Sequence, residues 1–412
     1  MTKLKIKISL FINFFVIGIM LNSVGIVILQ VIENYNVTKS SASILEAFKD
    51  LTIAVCSFLL ASYIPKFGYK KSMLTALLLV AAGSIAMKFG NSFLTAKILF
   101  AITGLSFALI KVSAYSTVGL ITDNSNDHAS LMSVLEGIFQ VGVLSGYWIF
   151  GFFIQASSNS STTWLDTYWV LAGLCLAAFV LLATTKIDET GAKSENFNSL
   201  HEFFEMVALV RFPLVLVFIL GAFFYVLIEQ SIQTWLPTFN KSILQLPSSI
   251  SVQIVSILAA SIAFGRIVGG YFIKKFSWLS VLTISLICAI LLVLLVIPIT
   301  RGIVPGSVKS WTDAPIAAYL LPLVGIFIGP IYPALNSSIL SILPKNRQSA
   351  MTGLIVIFSA LGGTTGSIIT GYIFGHYAGQ TAFYFSLIPM MLLLIILFVY
   401  NKIRNEFKFK EA

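Results

Sequence analysis

The chain has 412 residues, of which 58% are hydrophobic and only 10% charged, with a mean hydropathy of +0.95. Soluble domains carry about 25% charged residues, so a water-solvated core is excluded. A disordered chain, a collagen-like fibre and a disulfide scaffold fail too, given the apolar content, 28 Gly and three Cys. What remains is an all-α membrane protein. A helix crosses a bilayer in ~20 residues, so this length with short loops accommodates about a dozen crossings.

Continuous apolar runs predict twelve spans, at 8–32, 42–64, 72–90, 94–121, 130–155, 164–185, 212–236, 248–273, 278–300, 315–342, 348–375 and 379–401. The runs lack the alternating polarity of a β-barrel. Lys3, Lys5 and Lys7 precede a first run too long for a signal peptide and without a small-residue cleavage site, which reads as an uncleaved span. The longest polar connection runs from Lys186 through Asp188, Glu189, Lys193, Glu195 and His201 to Arg211. It predicts two pseudo-symmetric six-helix halves, 1–185 and 212–412, joined by a cytoplasmic linker, 186–211.

The net charge of +10 sorts by position. Lys3, Lys5, Lys7, Lys66, Lys70, Lys71, Lys186, Lys193, Arg211, Lys274, Lys275, Lys345, Arg347, Lys402, Arg404, Lys408 and Lys410 fall on one side, and Lys39, Lys49, Lys88, Lys97, Lys241, Arg301 and Lys309 on the other. The richer side is expected to be cytoplasmic and to hold both termini, in a multi-pass cell membrane protein of the bacterial inner-membrane type. The basic excess then encodes topology, and no nucleic-acid partner is expected. Cys56, Cys175 and Cys288 lie in apolar runs and support no pairing.

Six ionisable residues inside the spans carry the functional signal: Glu46, Asp50, Lys111, Glu136, Glu229 and Arg266. A charge at the bilayer centre costs several kcal/mol, so each should face a cavity or a partner. Glu46 and Asp50 share a helix face, with Lys49 about 100° away. Glu46 reads as a solvated residue at the outer rim and Asp50 as a deep proton carrier. Lys111 and Glu136 lie ~15 Å and ~9 Å from the cytoplasmic ends of adjacent spans. They either pair with each other or divide between substrate binding and proton coupling. Residue counting places Glu229 in the outer third and Arg266 in the inner third, so no direct pair is expected there. Tyr115, Tyr147, Trp148, Phe224, Tyr225, Trp235 and Tyr332 are candidates to stack on a ring-shaped solute.

The loop Ala61-Ser62-Tyr63-Ile64-Pro65-Lys66-Phe67-Gly68-Tyr69-Lys70-Lys71 resembles the loop signature of the major facilitator superfamily. Pro65 stands where an acid is usual. Arg266-Ile267-Val268-Gly269-Gly270, ending at Lys274-Lys275, looks like a decayed second copy. Within that superfamily the fucose:proton symporter branch is most similar. Its seventh helix resembles Gly221-Ala222-Phe223-Phe224-Tyr225 with Glu229 and Trp235-Leu236-Pro237, its eighth Arg266 with Gly269 and Gly270, and its broken tenth and eleventh Gly329-Pro330-Ile331-Tyr332-Pro333 and Gly362-Gly363. Asn22 and Lys111 stand where that branch places acids.

The resemblance implies the major facilitator fold, alternating access, and a gating role for Lys66, Gly68, Lys70 and Arg266. The expected site then comprises Asn22, Lys111, Tyr115, Tyr225, Glu229, Trp235 and Tyr332 for solute, and Asp50, Glu136 and Glu229 for protons. The expected function is proton-coupled uptake of a small polar solute, sugar-like or organic-anion-like. An exporter of amphipathic compounds and a transport-like sensor are the alternatives. The fifth span, with Gly137, Gly142, Gly146 and Gly151 but no proline, counts against drug exchange. No P-loop or hydrolase motif occurs, and His128, His201 and His376 are expected in loops, so no enzyme, metal or cofactor is expected, and the chain is expected to act as a monomer.

Overall fold

The computed structural model describes residues 2–61, 63–122, 125–154, 162–189, 206–300, 308–343, 345–377 and 379–406. Ser62, Lys193, Glu195, His201, Arg301, Lys408 and Lys410 lie outside them. Among the described residues the regular structure is entirely helical, and eleven helical segments are long and apolar enough to cross a membrane. The twelfth expected crossing is α4, whose 18 residues include Glu46, Lys49 and Asp50. The chain divides into two compact units, Met1–Val37 with Leu45–Ser199, and Thr38–Ile44 with Leu200–Ala412.

The first unit contains α1 (Thr2–Asn22), α2 (Val24–Tyr35), α4 (Ile44–Ala61, all but its first residue), α5 (Ile64–Phe67), α6 (Tyr69–Gly90), α7 (Phe93–Ile121), α8 (Ser125–Phe153) and α9 (Thr167–Thr184). The first crossing breaks at Ser23, whose hydroxyl donates to the Met20 carbonyl at 2.8 Å and so competes with the helix ladder. α1 lies against α8 through two glycines. A Cβ at Gly18 would stand 2.5 Å from the Phe139 carbonyl oxygen, and one at Gly142 2.2 Å from that of Phe15. Only a bare backbone permits that approach, which is what small residues provide between membrane helices. α7 starts on a capping box in which Ser92 and Thr95 satisfy each other's backbone N–H groups.

The second unit contains α3 (Lys39–Ala42), α10 (Pro213–Ser242), α11 (Ser248–Gln253), α12 (Val255–Lys275), α13 (Trp278–Ile299), α14 (Ile316–Leu320), α15 (Val324–Ile328), α16 (Ile331–Leu340), α17 (Lys345–His376), α18 (Gly379–Phe385) and α19 (Leu387–Glu406). Pro322 and Pro330 fragment the tenth crossing, because each removes a backbone donor. The eleventh departs from expectation. α17 is one continuous helix of 32 residues, and Gly362 and Gly366 leave room for the Phe223 and Leu227 carbonyls of α10 to approach instead of breaking it. The stretch Arg266–Lys275, read as a decayed loop copy, is likewise helical and ends α12. His128 sits inside α8 and His376 ends α17, so neither occupies a loop.

Candidate functional site

In the second unit, α10, α12, α16 and α17 bring together a polar cluster within otherwise apolar spans. Tyr225 and Glu229 are one turn apart on α10, and the Tyr225 hydroxyl donates to Glu229 Oε1 at 2.9 Å. Arg266 of α12 places Nη2 3.5 Å from the same oxygen. The expectation that these two would not pair is therefore corrected. α10 continues thirteen residues past Glu229, which puts it near mid-helix, ~24 Å from Pro213, and Arg266 lies ~14 Å from Lys275. The arginine and glutamate arms close the remaining difference, and pairing relieves two charges that a low-dielectric setting penalises.

Tyr332 of α16 stacks on Tyr225, with centroids 5.3 Å apart and planes at 23°. Its hydroxyl lies 3.0 Å from Ser359 Oγ of α17, a partner that nothing in the sequence pointed to. The Glu229 side chain is 15% exposed and that of Arg266 42%, so the pair is only partly buried. Trp235 is withdrawn from this cluster. It is fully buried, its indole N–H donates to the Ser367 carbonyl at 3.0 Å, and its ring stacks on Phe374. That arrangement holds α10 against α17.

In the first unit α7 and α8 build a second cluster. The Tyr115 hydroxyl donates to Glu136 Oε1, and the Lys111 ammonium lies 5.2 Å from the Phe107 ring centroid and 5.7 Å from that of Tyr115. A direct Lys111–Glu136 salt bridge does not form. Tyr115 mediates instead, taking the cation on its ring face and the carboxylate on its hydroxyl. Phe14 of α1 stacks on Tyr115 at 6.0 Å. Asn22, at the end of α1, donates to the Gly18 carbonyl at 3.2 Å. Of the remaining aromatic candidates, Tyr147 is buried, Trp148 is exposed and Phe224 packs edge-on to Phe223.

α4 carries a third group. Lys49 Nζ pairs with Glu46 Oε1 and lies 3.4 Å from Asp50 Oδ1, and all three residues are buried. Glu46 is thus no solvated rim residue, and the flexible lysine arm overcomes its angular offset on the helix. A Cβ at Gly104 would meet the Lys49 carbonyl at 2.4 Å, so α7 covers this triad closely.

The loop between α5 and α6 turns at Gly68, whose φ of 102° suits glycine alone. Lys66 is exposed. Glu189 accepts from the Tyr69 and Lys70 backbone N–H groups at 3.1 and 2.6 Å, and Lys70 Nζ donates to the Ala183 carbonyl at 2.8 Å. An acid absent from the loop itself is therefore supplied from 120 residues downstream, at the positive end of α6. Among the described residues no cluster of His, Cys, Asp and Glu could hold a metal ion.

No curated protein sequence matches the chain. Similar solved structures include the nucleoside transporter NupG, at 16% identity over 99% of this chain and 100% of that one, with a TM-score of 0.71. The D-xylose-proton symporter matches at 13% identity over 97% and 98%, TM-score 0.74. FucP in its outward conformation matches at 16% identity over 96% and 98%, TM-score 0.59. At such identities the likeness is one of fold. The sequence profile of the Major Facilitator Superfamily covers residues 10–363. With eleven helices among the described residues long and apolar enough to cross a membrane, this shows that the chain belongs to the major facilitator superfamily.

Proposed function

We propose that the protein takes up a small polar, ring-bearing solute with an anionic group, driven by the proton gradient through alternating access. The observation that carries this reading is that each unit holds a carboxylate, a tyrosine and a cation within its spans: Glu136, Tyr115 and Lys111 in one, Glu229, Tyr225 and Arg266 in the other. Charges at membrane depth mark solute or ion pathways. The stacked Tyr225–Tyr332 pair offers an aromatic face, while Lys111 and Arg266 offer donors to a carboxylate or similar anion.

Proton coupling rests on the carboxylates of the first unit. With both acids ionised, the Glu46–Lys49–Asp50 triad carries one net negative charge, and one proton on Asp50 brings it to neutrality. Glu136, held by the Tyr115 hydroxyl and by no salt bridge among the described residues, is the second candidate carrier. Gating is assigned to Lys66, Gly68 and Lys70, with Arg266 reassigned to solute contact. NupG and the D-xylose-proton symporter are named for a nucleoside and a sugar, polar solutes in keeping with the ring-bearing part of this class, though not with its anionic group.

The test is a thermal-stability screen of the purified protein against sugars, sugar acids, nucleosides and carboxylates at two pH values. A ligand of the proposed class stabilises wild type and loses that effect in Lys111→Ala and Arg266→Gln. A protein stabilised only by neutral amphipathic compounds, with both variants unaffected, would contradict the reading.

A further inference from the structure

Separate from the polar clusters, the second unit has an open groove of about 350 Å³ between α12 and α13, floored by α15 and Pro330. Its walls are largely apolar: Gly265, Val268 and Phe272 from α12, and Ile284, Ser285 and Cys288 from α13. A Cβ at Gly265 would stand 2.2 Å from the Ile326 carbonyl and one at Gly269 2.3 Å from Pro330, so these glycines let α12 pack directly onto the groove's floor. Ile284 in its wall is 62% exposed and Ile267 next to Val268 on α12 is 74% exposed, as on a face turned to hydrocarbon.

The groove has a polarity along its length. From Gly265 to Phe276, the residue that caps α12, it runs ~16 Å, about half the thickness of a ~30 Å hydrocarbon core. At the Phe276 end stands Lys275, seven residues beyond Val268 and so within ~20° of the groove face, its ammonium 4.6 Å from the Tyr271 ring centroid. α13 begins at the same end with Ser277 as its N-cap and no acid in its first turn, so its partial positive charge points to the mouth. The sequence between Glu229 and Asp313 contains no Asp or Glu at all. A largely apolar trough with a basic side chain at its mouth and no acid on either of its two walls matches one occupant: an acyl chain with an anionic headgroup.

We propose that this groove binds one anionic phospholipid, with an acyl chain between α12 and α13 and its phosphate against Lys275 and the start of α13. The lipid touches the helix that aims Arg266 at Glu229, because Gly265 and Arg266 are adjacent on α12. Occupancy therefore supports the geometry of the second-unit cluster whichever solute the protein carries.

The experiment is native mass spectrometry of the full chain after exchange into phosphatidylglycerol or phosphatidylcholine, paired with thermal unfolding under both conditions and with inorganic phosphate alone. Wild type should retain one phosphatidylglycerol per chain at about fivefold higher occupancy than phosphatidylcholine, the weight of one basic side chain at an anionic lipid surface. Lys275→Gln should abolish that preference, Ser285→Trp should lower retention of both lipids by obstructing the trough, and Lys402→Gln should change neither. Equal retention of the two lipids by wild type overturns the proposal. So does full stabilisation by inorganic phosphate without lipid, or a preference unchanged in Lys275→Gln. The lipid comparison on wild type and the surface change at Lys275 keep the test decisive if Ser285→Trp fails to fold.

Discussion

Removing either partner of the Arg266–Glu229 pair should weaken solute binding by an amount the geometry bounds. Unit charges 3.5 Å apart attract by about 5 kcal/mol at an effective dielectric constant of ~20, before desolvation is subtracted. Fully exposed pairs measure about 0.2–1 kcal/mol, whereas breaking a buried pair costs about 3–5 kcal/mol. With Glu229 at 15% and Arg266 at 42% exposure, the coupling belongs between these limits, at about 1–2 kcal/mol, or about 5- to 30-fold in affinity. Glu229→Gln, Arg266→Gln and the double variant form a cycle that isolates it. The assay is ligand affinity by calorimetry, with the ligand found in the stability screen. The prediction is that the double variant loses less than the sum of the singles by about 1–2 kcal/mol. Additivity to within ~0.3 kcal/mol would refute a working pair and leave two independent side chains.

Tyr115→Phe keeps the ring under Lys111 but removes the hydroxyl from Glu136, so proton-driven uptake should fall while solute affinity changes less than twofold, read from initial rates with and without a pH gradient. Lys49→Met leaves two buried carboxylates without their cation and should lower thermal stability strongly, with partial recovery in Lys49→Met/Glu46→Gln. Gly142→Val forces a side chain against the Phe15 carbonyl and should cost about 1–3 kcal/mol of stability by separating α1 from α8, seen as a lowered Tm. Glu189→Gln should cost about 1 kcal/mol and raise hydrogen exchange at the Tyr69 and Lys70 amides, with no change in exchange at α10.

The crossings were legible because apolar length is a local property of the chain, and bilayer thickness sets the length required. The break at Pro330 was legible for the same reason, since proline acts on its own helix. What sequence could not resolve was the meeting of side chains from different helices. Counting residues from span ends separated Glu229 from Arg266, because α10 runs on to Ser242 and the two long arms reach across. The angular rule that set Lys49 apart from Glu46 and Asp50 describes where Cβ points, not where a four-carbon arm ends. Trp235 looked like a binding aromatic, yet Ser367 lies opposite its indole N–H and draws it into the packing. The loop lacks an acid at Pro65, and only in three dimensions does an acid reach it, as Glu189 on the Tyr69 and Lys70 backbone.

Proton movement accompanying solute provides the most direct test of the central claim. Proteoliposomes containing the protein and an internal pH indicator, without an imposed gradient, would receive the solute identified in the screen. The account predicts that solute entry acidifies the lumen in wild type and that Asp50→Asn and Glu136→Gln each reduce proton entry more than they reduce solute binding. Solute entry at the wild-type rate with no change in internal pH would contradict it.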